Sequence, residues 1–149
     1  MTVLLVEELK TTLEQDFTLA GSRVYQISAL RPFVCMYAAP SGTFTFSIKS
    51  GSNVLGSVSF TSADIQSDLN TSNTYAYLHK ALEFTNDIPL RAGAYTLEMS
   101  SSGYIYSASS FMGWAKNNDT YFTIDGAVNN LTNNPHSFEL WENKRVVYA

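Results

Sequence analysis

The stretch from Thr43 to Phe60 admits few folds. Phe44, Phe46 and Ile48 alternate with Thr43, Thr45, Ser47 and Lys49, and Ser50-Gly-Ser-Asn53 separates this run from a second one, Val54–Phe60. A period of two sends successive side chains to opposite faces of a strand, so the apolar set faces a core and the hydroxyl and Lys set faces outward. A short Gly-containing loop between two such runs is a hairpin signal. The phrase Ile88-Pro-Leu-Arg-Ala-Gly-Ala-Tyr-Thr-Leu-Glu-Met99 repeats the pattern, with Ala92-Gly93 as a turn and Tyr95, Leu97 and Met99 in phase. The expected fold is all-β, an antiparallel two-sheet β-sandwich of jelly-roll type. Phe44, Phe46, Ile48, Val58, Leu97 and Met99 are expected to be buried in it.

The same alternation continues on both sides. Phe17 and Leu19 precede a turn at Gly21-Ser22, and Tyr25, Ile27 and Ala29 follow it. Pro32 marks a strand edge or break. The run Phe33 to Ala38 is apolar at consecutive positions, as in a strand covered on both faces. Thr61-Ser-Ala-Asp64 has the form of a capping box, which predicts a short helix through Leu69. Tyr75 to Phe84 reads as one strand, with Leu78, Leu82 and Phe84 in phase. Phe111 to Ala115 has no clear phase, Asn129 to Pro135 is a polar loop, and Ser137–Trp141 with Lys144–Tyr148 predicts a last hairpin around Glu142-Asn143. These runs amount to about nine or ten strands, at the spacing of sandwiches and jelly rolls. No repeat or linker divides them, so residues 1–149 are expected to form one domain, with 1–13 as an N-terminal arm and 14–149 as the sandwich.

A chain of 149 residues is long enough to bury about two thirds of its unfolded surface. Charged residues make up 15% of it, below the usual level of about 25%. Ser, Thr and Asn stand in their place, which suits strands and turns better than helices. With a net charge of −4 and scattered Lys and Arg, nucleic acid is not expected as a partner. No apolar run has the length that crosses a bilayer. Val3-Leu-Leu-Val6 is too short for a signal-peptide core and is followed at once by Glu7-Glu8, so export is not expected and synthesis in a cytoplasm is. The Asn-x-Ser/Thr triplets at Asn70, Asn118 and Asn130 are then chance occurrences. Cys35 is the only cysteine, and its apolar neighbours predict a buried, inert thiol.

Motifs that carry chemistry are scarce. The two histidines, His79 and His136, have no cysteine near them in sequence, so neither a metal site nor a cofactor is expected. Asp119 and Asp125 lack the spacing of a calcium loop. There is no Gly-x-Ser-x-Gly elbow and no phosphate-cradling Gly-Lys loop. Paired carboxylates could be drawn from Glu83, Asp87, Glu98, Glu139 and Glu142, but each falls where a solvated outward side chain is expected. The chain is therefore not expected to be an enzyme.

Aromatic residues offer the remaining lead. Tyr104, Tyr106, Trp114, Trp141 and Tyr148 crowd the C-terminal third. Sugar rings stack on such faces, and Asn117, Asn118 and Asp119 beside Trp114 would supply hydrogen bonds to hydroxyls. The competing expectation is that these rings fill the core or an interface. The apolar start, Val3, Leu4, Leu5, Val6 and Leu9, is a candidate for docking on a partner.

The order Gln15-x-Phe17, Ser41-Gly-Thr-Phe-Thr-Phe-Ser-Ile48, Ser59-x-Thr61-x-x-Asp64-Ile65 and Pro89-Leu-x-Ala-Gly-x-Tyr-Thr-Leu97 resembles a jelly-roll accessory module, similar to carbohydrate-binding modules. The likeness spans about Thr12 to Ala115. Such modules occur in secreted bacterial proteins and in bacteriophage tail and capsid-surface proteins, usually without activity of their own. A chain that starts at Met1 and stands alone shifts the expectation toward the virion. The resemblance implies a decoration, tail or fibre component that binds other virion proteins, copies of itself or a host-surface glycan.

Overall fold

A computed structural model describes residues 5–66, 76–77, 81–116, 121–124, 127–130, 136–143 and 145–148. In chain order the elements are β1 (Leu5–Glu8), β2 (Leu13–Leu19), β3 (Tyr25–Pro32), β4 (Val34–Tyr37), β5 (Thr43–Ser50), β6 (Asn53–Phe60), α1 (Ser62–Gln66) and β7 (Ala76–Tyr77). Then follow β8 (Leu82–Leu90), β9 (Gly93–Ser102), β10 (Phe111–Lys116), β11 (Tyr121–Ile124), β12 (Ala127–Asn130), β13 (Phe138–Glu142) and β14 (Arg145–Tyr148). The strands pair antiparallel in the orders β2-β9-β5-β6, β14-β13-β3-β8 and β1-β10-β4-β7, with β11-β12 as a separate pair.

Two of these sheets are joined at Phe33. Its N–H donates to Ser137 O at 3.0 Å, its carbonyl accepts from Ala115 N–H at 2.8 Å, and Ser137 N–H donates to Ala115 O at 2.8 Å. The chain from β3 to β4 thus exchanges one partner, β13, for another, β10. The sheet β2-β9-β5-β6 packs across both: Phe17 of β2 meets Phe138 and Tyr148 edge-on at 5.5 and 5.1 Å, and Phe46 of β5 meets Trp114 at 4.9 Å. The result is an all-β antiparallel sandwich with one core.

Alternation built this core as expected. Phe44, Phe46, Ile48, Leu97 and Met99 are fully buried, and Val58 is half-buried against them. The hairpin closes Ser50 on Asn53, with Gly51 at φ 60° in the left-handed region that a two-residue turn demands. Thr61 N–H donates to Asp64 Oδ2 at 2.7 Å, the reciprocal bond of a capping box, and starts α1. The helix is described to Gln66, and its expected continuation to Leu69 lies outside the described residues.

Two expectations need correction. Tyr75 to Phe84 is not one strand: Tyr77 pairs with Cys35 on β4, whereas Leu82 pairs with Leu30 on β3, in another sheet. Ala92-Gly93 is a turn as expected, and it carries the chain from β8 in one sheet to β9 in the other. The more consequential correction is the start of the chain. From Leu5 onward it is no free arm but strand β1, registered Leu5↔Lys116 to Glu8↔Gly113 on β10.

Candidate functional site

Trp114 cannot serve as a sugar platform. Its indole is fully buried; Nε1–H donates to Ser137 O at 2.8 Å, the His136 ring stacks on it at 4.5 Å, and Phe46 closes it edge-on. The reason lies in β10, which runs between β1 and β4 and is covered on both faces, so Phe111 to Ala115 are all buried. Asn117, Asn118 and Asp119, its intended partners, lie outside the described residues. Asp125 and His79 lie outside them as well.

The docking arm fares likewise. Val3 and Leu4 are outside the described residues, Leu5 is placed as the first residue of β1, Val6 is half-buried, and Leu9 is fully buried with its N–H bonded to Met112 O at 2.7 Å. Glycine 113 makes this docking possible. A Cβ there would lie 2.4 Å from Val6 Cγ1 and 3.1 Å from Glu7 O.

A polar clasp holds β1 and β2 to the segment before β13. His136 N–H donates to Gln15 Oε1 at 2.8 Å, His136 Nδ1 lies 3.1 Å from the same oxygen, and Nε2 lies 2.6 Å from Glu7 Oε1. Lys116 Nζ sits 3.7 Å from that Glu7 oxygen. Acceptors at both ring nitrogens suit the doubly protonated ring, which burial opposes. Burial is the larger effect and lowers the His136 pKa; Glu7 raises it and Lys116 lowers it further. With Trp114 on its face, this imidazole is enclosed as a structural tie.

Glu142 was expected to point to water and does not. It is buried, Oε2 accepts from Gln26 N–H at 2.6 Å, and Oε1 accepts from Arg23 at 2.8 Å and Arg145 at 3.2 Å. Burial alone would raise its pKa, but the Gln26 and Arg23 bonds outweigh it and hold the carboxyl below its ordinary value. Glu98 is engaged by Lys49 and Glu139 by Arg31. Cys35 is buried and its thiol is pushed up to about 12 by desolvation, so it is inert as expected.

Glu83 and Asp87 are different: both are exposed and neither has a bonding partner among the described residues. They flank an irregularity in the β3–β8 ladder, where Ile27 pairs with Ile88 and Ala29 with Glu83. Between those pairs β3 has Ser28 alone, whereas β8 has Phe84, Thr85, Asn86 and Asp87. The surplus backbone leaves the ladder, as in an enlarged β-bulge. It opens a groove of about 400 Å³, lined by Ser28, Ala29, Ala81, Glu83, Phe84, Asp87 and Trp141. Trp141 is half-buried there. Its Nε1–H donates to Glu139 Oε1 at 3.1 Å and its carbonyl accepts from Ser28 Oγ at 3.1 Å, which fixes the ring and its strand from two sides. The sequence shows the indole and the carboxylates, but nothing in its periodicity announces the four-against-one mismatch that brings them together.

Among the described residues no group of three or more His, Cys, Asp or Glu is placed to hold a metal ion, and no helix is long and apolar enough to cross a membrane. Comparison with protein-family models finds no match, and neither do comparisons with curated proteins and with solved structures.

Proposed function

We propose that this chain is a non-enzymatic bacteriophage virion structural protein, a capsid decoration or a tail or fibre component, that acts through protein–protein contacts with other virion proteins and with copies of itself. The resemblance to jelly-roll accessory modules supplies the virion context. The observation that carries the contact function is strand β6. Among the described residues it ends its sheet, paired on one side only with β5, and its sequence Asn-Val-Leu-Gly-Ser-Val-Ser-Phe has neither charge nor proline. Protein edges are ordinarily guarded by Lys, Pro or inward-pointing charge, because an unguarded edge pairs with other chains. Several other end strands carry such guards, Glu14 and Asp16 in β2, Glu83, Asp87 and Pro89 in β8, Glu7 and Glu8 in β1 and Arg145 in β14, whereas the short end strands β7, β11 and β12 have neither charge nor proline and β6, with eight residues, is the longest end strand without them. On β6, Val54 and Leu55 are instead 58% and 40% exposed. A surface of this kind is kept where something covers it. The non-enzymatic part of the reading rests on the sequence, which has no nucleophile or phosphate-loop motif; among the described residues the Cys35 thiol is buried, His136 is enclosed and Glu142 is bonded on both oxygens, while Glu83 and Asp87 are unengaged.

A second reading, a module that recognises a neutral glycan, is favoured by one observation, the half-exposed Trp141 in a concave groove. The virion reading is tested by the protein content of gradient-purified particles of the encoding phage. This chain is expected there in fixed ratio to a capsid or tail protein. Its absence from the particle band, with the chain present in the lysate, would overturn the reading.

A further inference from the structure

We infer that the groove between β3, β8 and β13 is a saccharide-binding site, with Trp141 as the stacking platform and Glu83 and Asp87 as hydroxyl acceptors, and that it selects uncharged sugars. The inference rests on the glycan reading and assigns it a place and a specificity.

Three features of the groove converge on this ligand class. An indole fixed at its Nε1 edge by Glu139, on a strand whose Trp141 backbone carbonyl is held by Ser28, offers a pre-set apolar surface, and sugar C–H groups pack on such a face with little ordering cost. Glu83 and Asp87 are solvated, without partners among the described residues, and a carboxylate accepts two hydrogen bonds at once, which matches vicinal hydroxyls. Phe84, buried beneath them, makes the floor apolar. An apolar base with a few convergent polar groups is the usual construction of a small-ligand site. Charge decides between saccharides. Among the described residues the groove lining carries two carboxylates and no Lys or Arg, so a sialylated or uronate-containing glycan would bring a third negative charge into the same space. Trp114, in contrast, has both faces occupied and contributes nothing.

The test is binding of the full chain to immobilised oligosaccharides, one set terminated by neutral hexoses and N-acetylhexosamines and another carrying sialic or uronic acids. Retention of neutral members with no retention of acidic ones is expected. The double change Glu83→Gln/Asp87→Asn, on two exposed side chains, should weaken the binding at least tenfold. Trp141→Ala should abolish it, and Trp141→Phe, which keeps an aromatic face and guards against loss of folding, should retain part of it. If neutral oligosaccharides bind and all three variants bind them as well as the parent, the groove assignment is wrong while the glycan reading stands. If no oligosaccharide is retained, both are wrong. Preference for the acidic set would overturn the stated selectivity.

Discussion

At the scale of single residues, the chain's polar chemistry is spent on holding strands in place. His136 is the plainest case. Its burial lowers its pKa from the ordinary value of 6.5, so between that value and its lower folded-state value the unfolded chain binds a proton that the folded chain does not. The stability this group contributes is complete above about pH 6.5 and is lost as the pH falls. Glu142, with a lowered pKa, acts in the same direction further down: its contribution is present above its ordinary value of 4.5 and disappears as acid protonates it. The expected outcome is a urea midpoint that declines between pH 7 and pH 5.5, with His136→Gln removing most of that slope. A slope unchanged in the variant would refute the assignment. Little of this was legible in the sequence. Gln15, Glu7 and His136 lie 8 to 129 positions apart, and the contact between Glu7 and His136 depends on β1 reaching the sheet. Trp114 illustrates the same difficulty, because a strand covered on both faces has no alternation to show which side an indole takes.

At the scale of elements, local grammar was readable wherever one face met water. The β5–β6 hairpin, the capping box of α1 and the final β13–β14 hairpin each follow from short patterns of Gly, Asp or Asn with alternating residues. What failed was pairing at a distance. Strand β1 falls in the segment expected to be an arm, and its strand partner, β10, is more than a hundred residues away. Gly113 was the available clue, because a glycine inside an apolar strand signals a close approach by another backbone. Filling that space is therefore informative. Gly113→Ala should cost about 1–3 kcal/mol, as overpacking of a close contact does, and the amides of β1 and Leu9 should lose hydrogen-exchange protection ahead of those of β5. Equal protection in parent and variant, with unchanged stability, would show that β1 does not need the glycine.

At the scale of the whole molecule, two layers bury a single core and leave three large apolar side chains largely uncovered, Val54, Leu55 and Ile105, among the described residues. Two of the three fall on the one long end strand without charge or proline. The sequence displayed that strand openly, but not that it ends a sheet, because strand order depends on which distant segments pair. In the reading proposed above, docking falls to β6 instead of the N-terminal residues, because β6 is an apolar strand paired on one side only among the described residues. Substituting Lys at both exposed positions, Val54→Lys/Leu55→Lys, gives β6 the charge that the long end strands β2 and β8 carry. The most direct measurement is sedimentation of the parent and this double variant, alone and with purified particles of the encoding phage. The parent is expected to sediment as an oligomer or to pellet with the particles, while the variant, folded by circular dichroism, stays in the supernatant as a monomer. Identical behaviour of the two chains would contradict the claim that this edge is the contact through which the protein works.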